Sequence, residues 1–387
     1  MKRFFMALAI ILFIISGCSG GKKDGVKDEG IITVDVTKTY PKKDLVLQDF
    51  MDVEYIALET NDEFLNTGDV MDVGKELVLV TNYRNGDIFL YNRSGKALRK
   101  INREGQGSEE YTRLSEVILD EEKSELFVYS RSSKKNIVYD LSGNFKRSFD
   151  INDNGGIINI YKYEKENFIH NEVIFNLYND NAQEEKNAES FYIISKQDGS
   201  VVKEIKIPFI KEKSPAIIKR DGEMIIVSFL NITSIISNNG NTYITPISSD
   251  TVFRYLPDHN MEPFIVRTPS IQSMETEVYL FPTILTDQYY FMESARKEKD
   301  SPRINLLYDR KEKAIYEYTV NNSDYTDRIE SFSETVINDE IAMYAKFEAF
   351  ELIEANEQGK LKGKLKEIAE GLDEDDNPVI MLAKYKR

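Results

Sequence analysis

Residues Phe89-Leu90-Tyr91-Asn92-Arg93-Ser94-Gly95 and Ile137-Val138-Tyr139-Asp140-Leu141-Ser142-Gly143 are two copies of one unit, set 48 positions apart with no gap. Apolar and aromatic residues in a short run predict a strand. The Ser-Gly pair predicts a tight turn in which glycine supplies a positive backbone angle, and Lys96 to Ile101 then returns as a second strand. The return strands repeat as well. Gly95, Arg99 and Ile101 fall over Gly143, Arg147 and Phe149, over Gly199, Lys203 and Ile205, and over Asn260, Phe264 and Val266. A fifth copy, Leu307-Tyr308-Asp309, sets Glu312 at its turn. One hairpin cannot bury its own face. A turn-to-turn interval of about 50 residues is too long for a solenoid strand repeat and suits propeller blades of four strands and roughly 40 to 50 residues. The pattern therefore predicts an all-β chain built as a β-propeller.

The N-terminus predicts location. Lys2 and Arg3 precede an uncharged run from Phe4 to Ile15. That run is shorter than the roughly 20 residues of a membrane-spanning helix and matches the apolar part of a signal peptide. It ends in Ile15-Ser16-Gly17-Cys18, which resembles the lipobox of bacterial lipoproteins, and Cys18 is the chain's only cysteine. The resemblance implies a signal peptide over 1–17 and lipidation of Cys18, whose several acyl chains would anchor the protein without a transmembrane helix. Residues 18–30 are glycines, lysines and acids that bury too little surface to fold, so they predict a flexible tether. Within it, Lys27-Asp28-Glu29 resembles the lysine-acid signals that send some lipoproteins to the cell surface.

With Cys18 lipidated, the mature chain holds no thiol for a disulfide or a cysteine-ligated metal. A chain of 387 residues with 41% hydrophobic content can still build a large core. Its net charge of −16 argues against nucleic acid and against lying flat on anionic lipid. No metal or cofactor is expected.

Four stretches carry a further resemblance: Val53-Glu54-Tyr55-Ile56-Ala57-Leu58-Glu59-Thr60, the loop Gly105-Gln106-Gly107-Ser108-Glu109-Glu110-Tyr111, Val138-Tyr139-Asp140 to Gly143, and Asp375-Asp376-Asn377-Pro378-Val379-Ile380. Together they resemble the six-bladed β-propeller lipoproteins of Bacteroidetes-type envelopes, over nearly the whole mature chain. The resemblance implies six blades over 31–387 and an outer-membrane lipoprotein facing the periplasm or the exterior. It supplies no substrate. Where the family pattern has proline after Gly-Gln-Gly, this chain has Ser108.

Candidate functional residues are few. The glycines around Gln106 expose backbone amides able to hold an anion or a sugar hydroxyl, so Gly105, Gln106, Gly107, Glu109 and Tyr111 form the candidate ligand site. The plainer alternative is an inter-blade corner, since the spacing is neither a dinucleotide fingerprint nor a P-loop. Asp150-x-Asn152-x-Asn154-Gly155 copies half an EF-hand loop, but Tyr161 stands where the bidentate carboxylate belongs. His170 and His259 are the only histidines, and without a nucleophile elbow neither reads as a triad base. The reading is a binding or scaffolding module for a protein or carbohydrate ligand. The alternative is a carbohydrate hydrolase or lyase using carboxylates on the propeller face.

Two irregular stretches, Asn179 to Glu189 and Arg296 to Arg303, predict long loops in the third and fifth blades. Ile341, Tyr344 and Phe347, then Leu361, Leu365, Ile368 and Leu372, follow helical spacing. They predict a C-terminal amphipathic helical insertion over about 339–372, broken near Asn356 to Gly359. A strand over about 378–385 should then close the ring by pairing with the segment from Ile31 to Leu58.

Overall fold

The computed structural model describes residues 30–151, 157–173, 188–221, 224–238, 240–332 and 338–386. Cys18 with the signal and most of the tether, the Asp150 to Gly155 motif beyond Ile151, and residues 179–187 of the first predicted loop lie outside the described residues.

From Ile31 onward the chain forms a ring of six small sheets, a six-bladed β-propeller. The first blade is Asp69–Val73, Leu77–Asn82, Asp87–Asn92 and Ala97–Asn102. The second runs through Glu116–Asp120, Glu125–Ser130, Lys135–Asp140 and Phe145–Asp150. The third is Ile157–Tyr163, Asn167–Val173, Ala188–Ser195 and Val201–Pro208. Ile235–Asn238, Asn241–Ile244, Thr251–Tyr255 and Met261–Thr268 make the fourth. Val278–Leu285, Tyr289–Arg296, Ile304–Asp309 and Ala314–Asn321 make the fifth. A separate hairpin, Ala216–Asp221 with Met224–Phe229, stands between the third and fourth.

Each blade is packed on both faces, which explains its unbroken apolar strands. Every residue of Glu125–Ser130 is buried, whereas the outer strand Val201–Pro208 leaves most of its residues exposed or half-buried. The core lies between blades. Leu79, Ile88 and Leu90 of the first interlock with Val117, Leu126 and Val128 of the second, and each fully buried side chain of this kind contributes about 1.5 to 3 kcal/mol.

The sixth blade joins the two ends of the chain. Val379–Tyr385 is its middle strand, paired from Val379↔Ala57 to Tyr385↔Met51 on one side and with Ile341–Phe347 on the other. The C-terminal strand thus closes the ring, but the N-terminal segment does more than complete one blade. Ile32–Asp35 adds a parallel strand to the fourth blade at Ile265 to Thr268, and Lys42–Val46 adds another to the fifth at Glu317 to Asn321. Only Met51–Ala57 belongs to the sixth. The edges explain the route: an outer strand presents unpaired amides and carbonyls, and the passing chain satisfies them.

Two expectations need correction. Ile341, Tyr344 and Phe347 lie on a strand, because hydrogen bonding to Val379–Tyr385 and burial of Ile341, Met343 and Phe347 override the helical spacing. The helices are Ala349–Glu357 and Gly363–Ala369, inserted between the inner and middle strands, with Leu352, Ala355 and Leu365 sealed against Phe291, Phe332 and Phe347. Gly359, at φ +69°, ends the first helix in the left-handed conformation favoured there. The turns also differ by one residue in two blades. Gly95, Gly143 and Gly199 have φ of +83°, +82° and +72°, but the fourth and fifth blades place His259 and Lys313 in that region, not Asn260 and Glu312. The His259 amide donates to the Leu256 carbonyl at 2.8 Å, as the Gly95 amide does to Asn92 at 2.9 Å, so His259 occupies the place of Gly95.

Candidate functional site

The first strands of the blades face the ring axis, and between them runs a cavity of about 830 Å³. Met71 of the first blade, Glu116 and Ile118 of the second, Asn159 and Tyr161 of the third and Ser237 of the fourth line it. Ser115 and Asn338, which precede inner strands, and Glu164 and Gly240, which follow them, also reach the wall, so the cavity runs along the channel. Successive side chains of an inner strand pack on the neighbouring blades to either side, Val117 and Leu119 with the first and Ile118 with the third, and six tyrosines, Tyr83, Tyr129, Tyr161, Tyr163, Tyr255 and Tyr344, contribute to the lining of the channel.

The electrostatics of this wall are uneven. Asp72 is buried, accepts a hydrogen bond from the Leu119 amide at 2.9 Å, and pairs with Lys162, which reaches it from the third blade at 2.5 Å. Glu116 has no such cation among the described residues: its Oε2 accepts from the Ile160 amide at 3.3 Å, and burial pushes its carboxyl up to about 8. At neutral pH this group is therefore largely protonated and able to donate. Burial and the nearby Glu116 carboxyl raise the Tyr161 hydroxyl above its ordinary value and push Tyr83 up to about 12. The Tyr83 hydroxyl donates to Met71 Sδ at 2.8 Å.

The loop singled out from the sequence is elsewhere, between the first and second blades. Tyr111 is fully buried, its hydroxyl donating to the Gly86 carbonyl at 2.6 Å and accepting from the Arg103 amide at 2.8 Å. The Gly107 amide donates to Glu110 Oε2 at 2.8 Å, and a Cβ on Gly105 would lie 1.9 Å from that same oxygen. The glycines thus make room for the loop's own carboxylate, which takes the place an outside anion would need. Gln106 and Glu109 are exposed, and the Glu109 carbonyl accepts from the Tyr139 hydroxyl at 2.6 Å.

The histidines serve packing. His170 is buried and stacks on Tyr192 at 5.2 Å, and burial pushes it down to about 4, so it is neutral. His259 Nδ1 lies 2.8 Å from the Tyr255 hydroxyl. Among the described residues no group of three or more His, Cys, Asp or Glu is placed to hold a metal ion. No described helix is long and apolar enough to cross a membrane.

Sequence reasoning missed Glu116 and Tyr161. The available signal was an acid inside the apolar run Glu116-Val117-Ile118-Leu119 and the alternation Asn159-x-Tyr161-x-Tyr163. Which strand of each blade lies innermost, and which of its residues reach the channel, is set by ring closure, so neither signal named a channel residue.

Among solved structures, one with the same fold is similar to the chain over nearly all of its length. A Bacteroides fragilis NCTC 9343 protein described as exported matches over 92% of this chain and 100% of its own, with a TM-score of 0.60 at 16% identity. A member of the DUF4221 family from Bacteroides vulgatus ATCC 8482 matches over 88% and 99%, with a TM-score of 0.46 at 8% identity. None of the curated proteins compared with the chain matches it. Residues 31–384, the whole ring, match the family described as Domain of unknown function (DUF4934), and the chain belongs to that family.

Proposed function

We propose that the chain is an exported lipoprotein, held on the outer membrane through Cys18, whose propeller is a binding module with its ligand site in the central channel. Export is supported by the apolar run Phe4 to Ile15 and by the Bacteroides fragilis protein of the same fold that is described as exported. The lipid anchor rests on Ile15-Ser16-Gly17-Cys18.

The channel cavity is the observation that carries the binding reading. Its volume, about 830 Å³, lies within the range of small-molecule sites, and its wall combines aromatic rings with a few convergent polar groups. A hydrolase or lyase would need two carboxyls free to act on one bond. The commitment of Asp72 to Lys162 and Leu119 counts against that alternative.

The test has two arms. Cys18→Ser should abolish fatty-acid labelling and leave the protein unprocessed or released, and labelling that persists would reject the anchor. A thermal-shift panel of sugars, amines and short peptides should yield ligands that Ser237→Trp, which fills the channel, no longer binds. Ligands that bind this variant normally would reject the channel as the site.

A further inference from the structure

The wall of the channel carries a specific chemical mismatch. Several buried carboxylates of the ring have cations: Glu125 meets Arg147 at 2.7 Å, Asp120 meets Lys196 at 2.9 Å, and Glu293 meets Arg303. Glu189, which burial also raises and which accepts from the Ser248 amide at 3.3 Å, lies away from the cavity wall. Glu116 instead faces the cavity with the Ile160 amide as its described hydrogen-bond partner. A charge removed from water without a partner is costly, so a ligand that supplied the missing cation would stabilise the ionised carboxylate, offset in part by the cost of removing the proton that burial keeps on it.

We infer that the channel recognises a small organic cation, an amine or quaternary ammonium, with Glu116 as its counter-charge and the rings of Tyr83 and Tyr161 beside it; this rests on the reading of the channel as the binding site. Three observations support a cation over an anion or a neutral sugar. The charged groups at the cavity are Asp72, Glu116, Glu164 and Asp339 against Arg131 and Lys162, and Lys162 is already paired with Asp72. Arg131, Glu164 and Asp339 are exposed, which leaves Glu116 as the acid shielded by the inner strands. Tyrosine rings attract cations through their quadrupole, most strongly where water is excluded. A neutral sugar would use the hydroxyls but would gain nothing from the excess of acids over bases at the wall.

The binding step involves one proton. At neutral pH Glu116 is largely protonated, because burial raises it to about 8. When the ammonium enters with its own protons, the Glu116 O–H ionises, its proton passes to buffer, and the carboxylate pairs with the cation. The other titratable and charged groups at the cavity are Tyr83, Tyr129, Tyr161, Tyr163, Tyr255, Tyr344, Arg131, Lys162, Asp72, Glu164 and Asp339. The Glu116 carboxyl is the one among them whose raised value makes it release a proton in this range.

The full mature protein, purified in detergent, is titrated calorimetrically at about pH 7 in two buffers of different ionisation enthalpy. The probes are choline and phenethylamine, the neutral choline isostere 3,3-dimethylbutan-1-ol, and maltotriose. The cations should bind, the isostere should bind at least about tenfold more weakly, and up to about one proton should be released per cation. Glu116→Gln preserves shape and should weaken cation binding at least about tenfold and abolish proton release. Tyr161→Leu, which removes a ring while leaving the carboxyl, should also weaken it. Cation binding unchanged in Glu116→Gln overturns the inference. If maltotriose or the isostere binds, is lost in Ser237→Trp, and the cations do not bind, the inference fails while the channel reading stands. Binding of any probe that Ser237→Trp does not disturb overturns both, as does the absence of binding by every probe.

Discussion

Tyr91 and Tyr139 stand 48 positions apart, and each donates its hydroxyl to a backbone carbonyl in the corner leading into its own blade: Tyr91 to Phe64 at 3.3 Å, Tyr139 to Glu109 at 2.6 Å. Both side chains are fully buried. The repeat visible in the sequence is thus also a repeat of function within the fold, since in the first and second blades the third strand pins the connection from the preceding blade.

Removing one of these hydroxyls should cost what a lost buried hydrogen bond costs. Tyr139→Phe keeps the ring and its edge-to-face contact with Tyr111 at 6.2 Å, but strips the Glu109 carbonyl of that donor. A loss of about 1 to 2 kcal/mol is expected in urea denaturation, and the double variant with Tyr91→Phe should lose close to the sum because the two corners are separate.

The turn glycines should differ sharply in tolerance. Gly95 and Gly359 both have positive φ, +83° and +69°. A Cβ on Gly95 would come 1.9 Å from the Ala57 carbonyl oxygen of the preceding blade, whereas nothing lies within 4 Å of one on Gly359. Gly359→Ala should therefore cost only the backbone term of about 1 to 2 kcal/mol, and Gly95→Ala clearly more, because two blades must separate. Equal denaturation midpoints for the two variants would refute the close approach.

Truncation after Asp376 removes the middle strand of the closing blade. Met51–Ala57 and Ile341–Phe347 both lose their ladder, and buried Val379, Ile380, Met381 and Leu382 leave the core. The truncated protein should aggregate through the opened edges and melt well below the intact protein. A cooperative, monomeric transition at the original temperature would show that the ring closes without this strand.

Two carboxyls should give opposite pH dependences. Hydrogen bonding from Arg147, helped by Lys146, holds Glu125 down to about 2 against an ordinary 4.5. Its contribution, on the order of 3 kcal/mol, is complete above pH 4.5 and is lost as pH falls toward 2. Glu116 is raised, so the folded chain keeps a proton that the unfolded chain releases, and stability falls as pH rises from 4.5 to about 8. Glu125→Gln should flatten the acid limb of the stability profile, and Glu116→Gln the limb above it.

The sequence alone determined the blade, because its cause is local. Alternating apolar residues, a turn residue able to hold positive φ and a return strand of set length are read within about 20 positions, and their recurrence at 48 from Gly95 to Gly143 implies a ring of such units. It also determined that Val379–Tyr385 is a strand that closes that ring. Tertiary structure decided what depends on partners far apart in the chain. The spacing of Ile341, Tyr344 and Phe347 suits a helix until Val379–Tyr385 supplies hydrogen bonds. Ile32–Asp35 and Lys42–Val46 could not be assigned to the fourth and fifth blades because edge pairing leaves little trace in side-chain pattern. The channel was illegible for the same reason. Glu116, Tyr161 and Tyr83 come from different blades, and only closure of the ring sets which residues of the inner strands reach the channel together.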